Sequence, residues 1–136
     1  MSMSGTKTEG ETAPTGAELA ILQVLWRRGP STVREVHGSV YADGAAGYTS
    51  ALKLMQNMLA KGLVTRSGDA RRHVYTAAVS QRPTLNQLVS GWIDTAFAGS
   101  SMALAMHALD ARPVDRDELA QLKLIIEKLE REDLAP

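Results

Sequence analysis

Residues 32–75 read TVREVHGSVYADGAAGYTSALKLMQNMLAKGLVTRSGDARRHVY. The signals in this stretch come in the order short helix, glycine-rich loop, longer helix and hairpin, and the hairpin carries two adjacent arginines. A helix held on a small helical core beside an arginine-bearing hairpin is an arrangement suited to duplex DNA. The stretch therefore predicts a mainly α fold with a small β-wing, which is a winged helix-turn-helix.

Two capping boxes mark helix starts before and within this stretch. Thr15 with Glu18, and Thr32 with Glu35, have the Thr-x-x-Glu spacing in which each side chain bonds the other residue's backbone N–H. A Gly-Pro pair at residues 29–30 ends the first of these helices. The two helices that these boxes start, together with the longer helix that follows them, form the predicted three-helix core.

The third helix has an apolar and a polar side. It is predicted to be capped by Thr49 or Ser50 and to end at Gly62, because glycine accepts the left-handed conformation that closes many helices. Its apolar residues recur at i, i+3, i+4 and i+7 as Ala51, Leu54, Met55 and Met58. The opposite side is free to meet a partner.

Polar and basic side chains of the third helix and the hairpin are the candidate DNA contacts. Residues 63–66 and 72–77 are predicted to be the hairpin strands, joined by a turn at residues 67–70. The hairpin arginines suit phosphates or the minor groove, while Lys53 and Asn57 suit base edges or the backbone. The alternative for each is a solvated surface side chain. The full set is Thr32, Tyr48, Thr49, Ser50, Lys53, Gln56, Asn57, Arg71, Arg72 and His73.

The charge is divided between the two halves of the chain. The formal net charge is zero, but residues 13–82 hold nine Lys/Arg against four Asp/Glu, a balance of +5. Residues 83–136 hold five against nine, a balance of −4. Such asymmetry favours a first half that faces nucleic acid and a second half with another role, although a chance split is the alternative.

Composition limits the other classes of function. There is no cysteine, and the three histidines lie more than thirty residues apart with no second ligand at helical spacing, so we predict no metal and no cofactor. No nucleophile elbow or phosphate-binding glycine loop is present, so we predict no catalytic residues and no enzymatic activity. No apolar run approaches the length of a membrane span and no signal peptide is recognisable, which favours a cytoplasmic protein.

The predicted organisation is a disordered tail at residues 1–14, a winged-helix domain at 15–82 and a helical dimerisation domain at 83–136. The last region reads as three amphipathic helices, over 84–98, from Ser100 or Ser101 to 109, and from 115 onward. These helices have little to bury against within so small a segment, so we expect them to pack on a second copy. The alternative is that they fold back on the monomer's own core. The candidate dimerisation residues are Leu88, Trp92, Phe97, Leu104, Leu119, Leu122 and Ile126.

An ordered set of motifs covers about residues 15–130. The motifs are AEL at 17–19, VLW at 24–26, TVREV at 32–36, YTS at 48–50, LM at 54–55, KGLV at 61–64, RRHVY at 71–75, FAGS at 97–100 and the acidic start of the last helix at 117–119. In this order they resemble the BlaI/MecI family of penicillinase and methicillin-resistance repressors. The resemblance implies a winged-helix DNA-binding domain, a helical dimerisation domain, and a repressor that binds a dyad-symmetric operator as a homodimer. It also points to control of β-lactam-resistance or related stress genes in a bacterium.

The resemblance further implies a way of releasing the repressor. In the best-known members a membrane sensor-protease detects β-lactam, and the repressor is cut between Asn and Phe in the dimerisation region. The nominal counterpart here is the bond between Ala105 and Met106, where both flanking residues differ from that pair. Copper-responsive relatives carry a C-terminal cysteine motif, which this chain lacks. A second class of function, a winged-helix protein–protein interaction module without DNA affinity, is the alternative.

Overall fold

A computed structural model describes residues 13–44, 46–69 and 71–134. They form two compact units, and the division between them falls between Gly91 and Trp92. The predicted tail lies outside the described residues except for positions 13 and 14, and of these Pro14 is buried. The described helices include none that is long and apolar enough to cross a lipid bilayer.

The first unit begins with three helices and three short strands. The helices are α1 at Gly16–Arg28, α2 at Val33–Val40 and α3 at Tyr48–Lys61, and the strands are β1 at Ser31–Thr32, β2 at Val64–Ser67 and β3 at Val74–Ala77. The strands form an antiparallel sheet in the order β1-β3-β2. Three more helices follow, α4 at Gln81–Ala96, α5 at Ser101–Ala111 and α6 at Arg116–Leu134, and the division between the units falls within α4. This mainly helical fold with a small sheet confirms the predicted class.

Both predicted capping boxes are present. The Thr15 backbone N–H donates to Glu18 Oε1 at 2.9 Å, and the Glu18 N–H donates back to Thr15 Oγ1 at 3.2 Å. Thr32 and Glu35 repeat the same two distances at the start of α2. Each box satisfies two backbone donors that a helix start would otherwise leave open, and so the two helices begin where the sequence predicted.

The predicted start of α3 is wrong. The helix begins at Tyr48, its N-cap is Gly47, and no side chain makes a capping hydrogen bond there. The Gly47 carbonyl accepts the first helical bond from Ala51 at 3.1 Å, so Thr49 and Ser50 lie inside the first turn with exposed side chains. The other end agrees with the prediction, since Gly62 closes α3 with φ 83° and ψ 12°.

The sheet contains a strand that the sequence pattern did not predict. Ser31 and Thr32 of β1 pair with Tyr75 and Val74 of β3. Two residues are too few to show an alternating pattern, so only the tertiary fold identifies this strand. The two hairpin strands were predicted, with bounds that differ by one or two residues from those observed.

Aliphatic and methionine side chains build most of the core of the first unit. The buried apolar residues are Ile21, Leu22, Val24, Leu25, Val33, Val36, Ala51, Met55, Met58, Leu63, Val64 and Tyr75. At the edge of this core the Trp26 indole N–H donates to the Val79 carbonyl at 2.9 Å, which ties α1 to the segment before α4. Helices α1 and α2 and the hairpin therefore contribute to one packed support for α3.

Glu18 has a second role that its place in a capping box did not reveal. Its side chain is buried, and Lys61 Nζ at the end of α3 approaches its two carboxylate oxygens at 2.7 and 3.0 Å. Burial alone raises the pKa of Glu18, but the hydrogen bond and charge of Lys61 and the bonds to Thr15 outweigh burial, so that the pKa is lowered. The pair fixes the end of α3 to the start of α1.

The lowered pKa of Glu18 predicts an acid-sensitive contribution to stability. A carboxyl with a depressed folded-state pKa stabilises the fold above its unfolded-state pKa, and this contribution is lost as the pH falls from about 4.5 through the folded-state value. Glu18→Gln should therefore lower the free energy of unfolding near neutral pH and lose this difference in acid. Urea denaturation followed by circular dichroism over a pH series measures both curves.

Glu118→Gln is the matched control for this prediction. Glu118 forms the same kind of reciprocal box with Asp115, at 3.0 and 2.8 Å, but it is exposed. Because an exposed box adds little to stability, this variant should lower the free energy of unfolding near neutral pH by less than Glu18→Gln does. Parallel wild-type and Glu18→Gln curves across the whole pH series would contradict the role given to the Lys61 pair.

The second unit contains the end of α4 and the helices α5 and α6. Ala98 and Gly99, with φ 50° and 82°, end α4, and Ser100 caps α5 by accepting the Ala103 N–H at 2.9 Å. The acidic residues predicted to open the last helix do so through the Asp115–Glu118 box. Helix α4 starts three residues earlier than predicted, because Pro83 is tolerated within a first turn.

Candidate nucleic-acid interface

Helix α3 presents a polar side because its other side is fully used by the core. Ala51, Met55 and Met58 are at most 1% exposed, and Leu54 is half-buried against the same cluster. The side chains off this stripe are exposed, and they are Thr49, Ser50, Lys53, Gln56 and Asn57. The predicted division of the helix into a packed and a free side is therefore observed.

A cleft of about 610 Å³ lies between α3, the start of α2 and the wing. Both wing strands and the turn between them contribute to its lining. The lining residues are Thr32, Val33, Arg34, Tyr48, Leu52, Gln56, Arg66, Arg71, Arg72, His73 and Tyr75. The cleft thus combines six of the ten predicted contacts, while Thr49, Ser50, Lys53 and Asn57 lie on the exposed side of α3 outside this lining.

Among the residues that the structure describes, four arginines and no acidic residue line the cleft. Arg71 and Arg72 were predicted from the hairpin, whereas Arg34 and Arg66 were missed. Arg34 is the second residue of α2 and Arg66 lies in β2, and neither position carries a sequence signal that it faces α3. Guanidinium groups gathered around one cleft make a positive surface that suits phosphate oxygens.

The two predicted wing arginines follow a turn that fixes their backbone. One carboxylate oxygen of Asp69 accepts the N–H groups of Arg71 and Arg72, at 3.0 and 3.2 Å. Gly68 supports the same turn with φ 93°, a conformation that side chains other than glycine rarely adopt. The wing therefore holds its arginines through backbone bonds and leaves their side chains exposed.

Replacing Gly68 by alanine should damage the wing more than a positive φ alone would. A Cβ atom at this position would lie 2.4 Å from the Arg72 carbonyl oxygen, which is too close, so the backbone of the wing turn must move. We expect Gly68→Ala to cost about 2–3 kcal/mol of stability and to weaken DNA binding. Gly62→Ala is the control, because φ is 83° with nothing within 4 Å, and it should cost only about 1 kcal/mol. If urea denaturation shows that both variants lose the same free energy of unfolding, the close approach to the Arg72 carbonyl oxygen does not matter.

Thr32 and His73 contribute polar atoms at the edge of the cleft. The Thr32 hydroxyl accepts the Glu35 N–H, so its own hydrogen remains able to donate toward the cleft. The Nδ1 atom of His73 is buried and has no hydrogen-bond partner within the described part of the chain. Both predicted residues therefore lie at the cleft, but His73 has one ring nitrogen turned away from solvent.

Glu35 connects the second helix to nearby arginines. Arg28 lies 3.5 Å from its carboxylate, and Arg28 Nη1 also donates to Ser39 at 3.4 Å. The backbone bond from Thr32 is the main reason that the pKa of Glu35 is lowered, and the charges of Arg28 and Arg72 act in the same direction. Arg28 thus lies at the end of α1 and joins it to α2.

Potential metal ligands are not clustered in the described part of the chain. Over residues 13–44, 46–69 and 71–134, three or more His, Asp or Glu side chains are nowhere grouped so that they could hold a metal ion. The arrangement that the structure does provide is a polar helix side next to an arginine-lined cleft.

Comparison with known proteins gives one family and several relatives. The model of the penicillinase repressor family matches residues 14–128. The transcriptional regulator BlaI of Mycobacterium tuberculosis, in strains CDC 1551 and H37Rv, is 34% identical over 119 residues, which cover 83% of this chain and 82% of that protein.

Two solved structures resemble this chain at low sequence identity. A probable transcriptional regulator from Pseudomonas aeruginosa aligns with a TM-score of 0.48 and 18% identity, over 92% of this chain and 89% of that one. The transcriptional regulator Tm0710 from Thermotoga maritima aligns with a TM-score of 0.46 and 16% identity, over 93% of this chain and 90% of that one.

Proposed function

This chain belongs to the penicillinase repressor family, and we propose that it represses transcription as a homodimer bound to a dyad-symmetric operator. It is a DNA-binding transcriptional repressor, since its family is that of the penicillinase repressor and its relatives are transcriptional regulators. The observation that carries the proposed binding mode is the arginine-lined cleft beside the exposed polar side of α3.

The cleft and α3 have different roles in the proposed DNA binding. The arginines of the wing and of α2 are placed to neutralise phosphates, which supplies affinity without sequence preference. Lys53 and Asn57 lie one turn apart on the exposed side of α3 and carry the hydrogen-bonding groups that read base edges in the major groove. The operator sequence is therefore set mainly by α3, and the salt dependence mainly by the cleft.

The proposed dimer rests on apolar side chains that the second unit leaves exposed. Leu119, Ile125, Ile126 and Leu129 of α6 are 43–57% exposed, and they recur at helical spacing along one stripe. Trp92, at the start of this unit, is 50% exposed. Apolar surface of this extent on one chain marks an interface, and a second copy supplies the symmetry that a dyad operator requires.

We also propose that the repressor acts in the cytoplasm, controls β-lactam-resistance or related stress genes, and is released by a membrane sensor-protease. Ala105 and Met106 lie in the middle of α5 with exposed side chains, so a cut between them would divide a helix of the unit offered for dimerisation. Mass spectrometry of the protein from cells treated with β-lactam tests this release. A fragment ending at Ala105 is expected, and an intact chain in cells that have derepressed the target genes would contradict it.

Fluorescence anisotropy tests the proposed function most directly. The full chain is titrated against labelled promoter DNA from upstream of its own gene at two salt concentrations. We expect tight binding that weakens with salt and saturates at two protomers per site. Saturation at one protomer would contradict the dimer. An absence of binding at both salts would contradict operator recognition and favour the protein–protein interaction module.

A further inference from the structure

The start of α3 lacks the device that starts α1 and α2. Those helices open with a Thr–Glu box, whereas the N-cap of α3 is Gly47, where the described residues form no side-chain cap. The segment that leads into it, residues 41–47, contains two glycines, which have more backbone freedom than other residues. Yet α3 must keep its first turn in place if its polar side chains are to meet defined base edges.

His37 of α2 contacts both ends of this loop. Its Nε2 atom lies 2.9 Å from the Ala46 carbonyl oxygen, one residue before the N-cap of α3. Its ring meets Tyr48, the first residue of α3, edge-on with 6.2 Å between ring centroids, and lies 5.9 Å from Tyr41 at the start of the loop. The half-buried imidazole is therefore the point where the entry to α3 is held against α2.

Arg34 completes the contact from one turn earlier on α2. Its guanidinium carbon lies 5.8 Å from the Tyr48 ring centroid, so Tyr48 is held by His37 at one place and by a cation–π contact at another. Tyr48 and Arg34 both line the DNA-facing cleft. A shift of the loop would therefore move the end of α3 that carries Tyr48, and with it part of the cleft lining.

We propose that His37 is a positioning residue for operator recognition, acting by holding the loop and first turn of α3 in place of a side-chain cap. The Nε2–H donates to the Ala46 carbonyl, which assigns the proton to that nitrogen. The proposal rests on the proposed function, in which α3 reads the operator. It assigns to His37 an effect on sequence discrimination, because the arginines that bind phosphates are left in place.

Three variants separate the parts of this role. His37→Phe keeps a ring beside Tyr41 and Tyr48 but removes the donor, whereas His37→Gln keeps a donor and removes the ring. Ser39→Ala is the control, since Ser39 is exposed on the same helix and only accepts a long bond from Arg28. Each is titrated against the promoter duplex and a shuffled duplex of equal composition at two salt concentrations.

We expect His37→Phe to reduce the ratio of promoter to shuffled affinity by roughly three- to tenfold, the worth of one hydrogen bond. The affinity for the shuffled duplex and the salt slope should stay near the wild-type values. His37→Gln should recover part of the ratio, and Ser39→Ala should keep all of it. An unchanged ratio in His37→Phe, or an equal loss on both duplexes, would overturn the proposal.

Hydrogen exchange in the free protein tests the same role without DNA. The amides of residues 51–54 are the first in α3 that bond within the helix, beginning with Ala51 to Gly47. They should exchange faster in His37→Phe than in wild type, with the amides of α1 unchanged. Unchanged exchange at these residues would overturn the positioning role of His37, even if the wild type shows no preference for the promoter. If exchange is faster in the variant but the wild type does not distinguish the promoter from the shuffled duplex, only the proposed function is refuted.

Discussion

Replacing Arg71 and Arg72 together by alanine should weaken binding to every duplex by about 100-fold at low salt, the loss of two charge-assisted contacts per protomer. Both side chains are exposed and both line the cleft between the wing and α3. Because phosphates are the same in every sequence, the promoter and the shuffled duplex should lose affinity equally. The slope of log affinity against log salt should flatten by up to about one unit for each lost phosphate contact.

A control for this double variant must make the same change in net charge elsewhere. Arg112 and Arg116 are exposed residues of the second unit, so their double alanine variant removes two positive charges outside the cleft. It should affect the slope little, because neither residue lines the cleft proposed to hold the phosphates. A wing variant with the wild-type salt slope would remove the wing from the interface.

Truncating Trp92 to alanine should reduce dimer affinity by about 3 kcal/mol, which is more than a hundredfold in the dissociation constant. The indole is 50% exposed in the single chain, so a partner surface has a large apolar area to cover. Sedimentation equilibrium of wild type and variant across a concentration series measures the change. Operator affinity should fall with it, since each half-site would then be bound separately.

Leu124→Ala is the matched control for the dimer prediction. Leu124 is 65% exposed on α6, but its position in the helix lies away from the stripe that contains Leu119 and Ile126. It should leave dimerisation nearly unchanged, whereas Ile126→Ala should weaken it. A Trp92→Ala protein that remains fully dimeric at low micromolar concentration would contradict the interface proposed for this unit.

Local signals in the chain predicted most of the elements. The boxes at Thr15 and Thr32 and the left-handed Gly62 were read correctly because each depends on residues at most a few positions apart. The start of α3 was misread for the same reason, since Thr49 and Ser50 are good capping residues by type. Packing of Ala51 and Met55 against the core selects the register of that helix and places its cap at Gly47.

The candidate site was predicted in part, and there is a physical reason why some of its residues were predicted and others were missed. Adjacent residues such as Arg71 and Arg72 can be assigned to the wing from the hairpin pattern alone. Arg34 and Arg66 join them only because α2 and β2 are brought to the same cleft, and no local pattern records which way those elements are rotated. The Lys61–Glu18 pair likewise joins residues 43 positions apart.

By itself the sequence determined the order of the helices and the hairpin, the polar side of α3 and the family, since all of these follow from residue type and short spacing. Only the tertiary structure decided which arginines share the cleft, that Glu18 is paired with Lys61, and that His37 holds the loop before α3. Local preferences act through a few neighbouring residues, whereas these contacts depend on how separate elements pack on a common core.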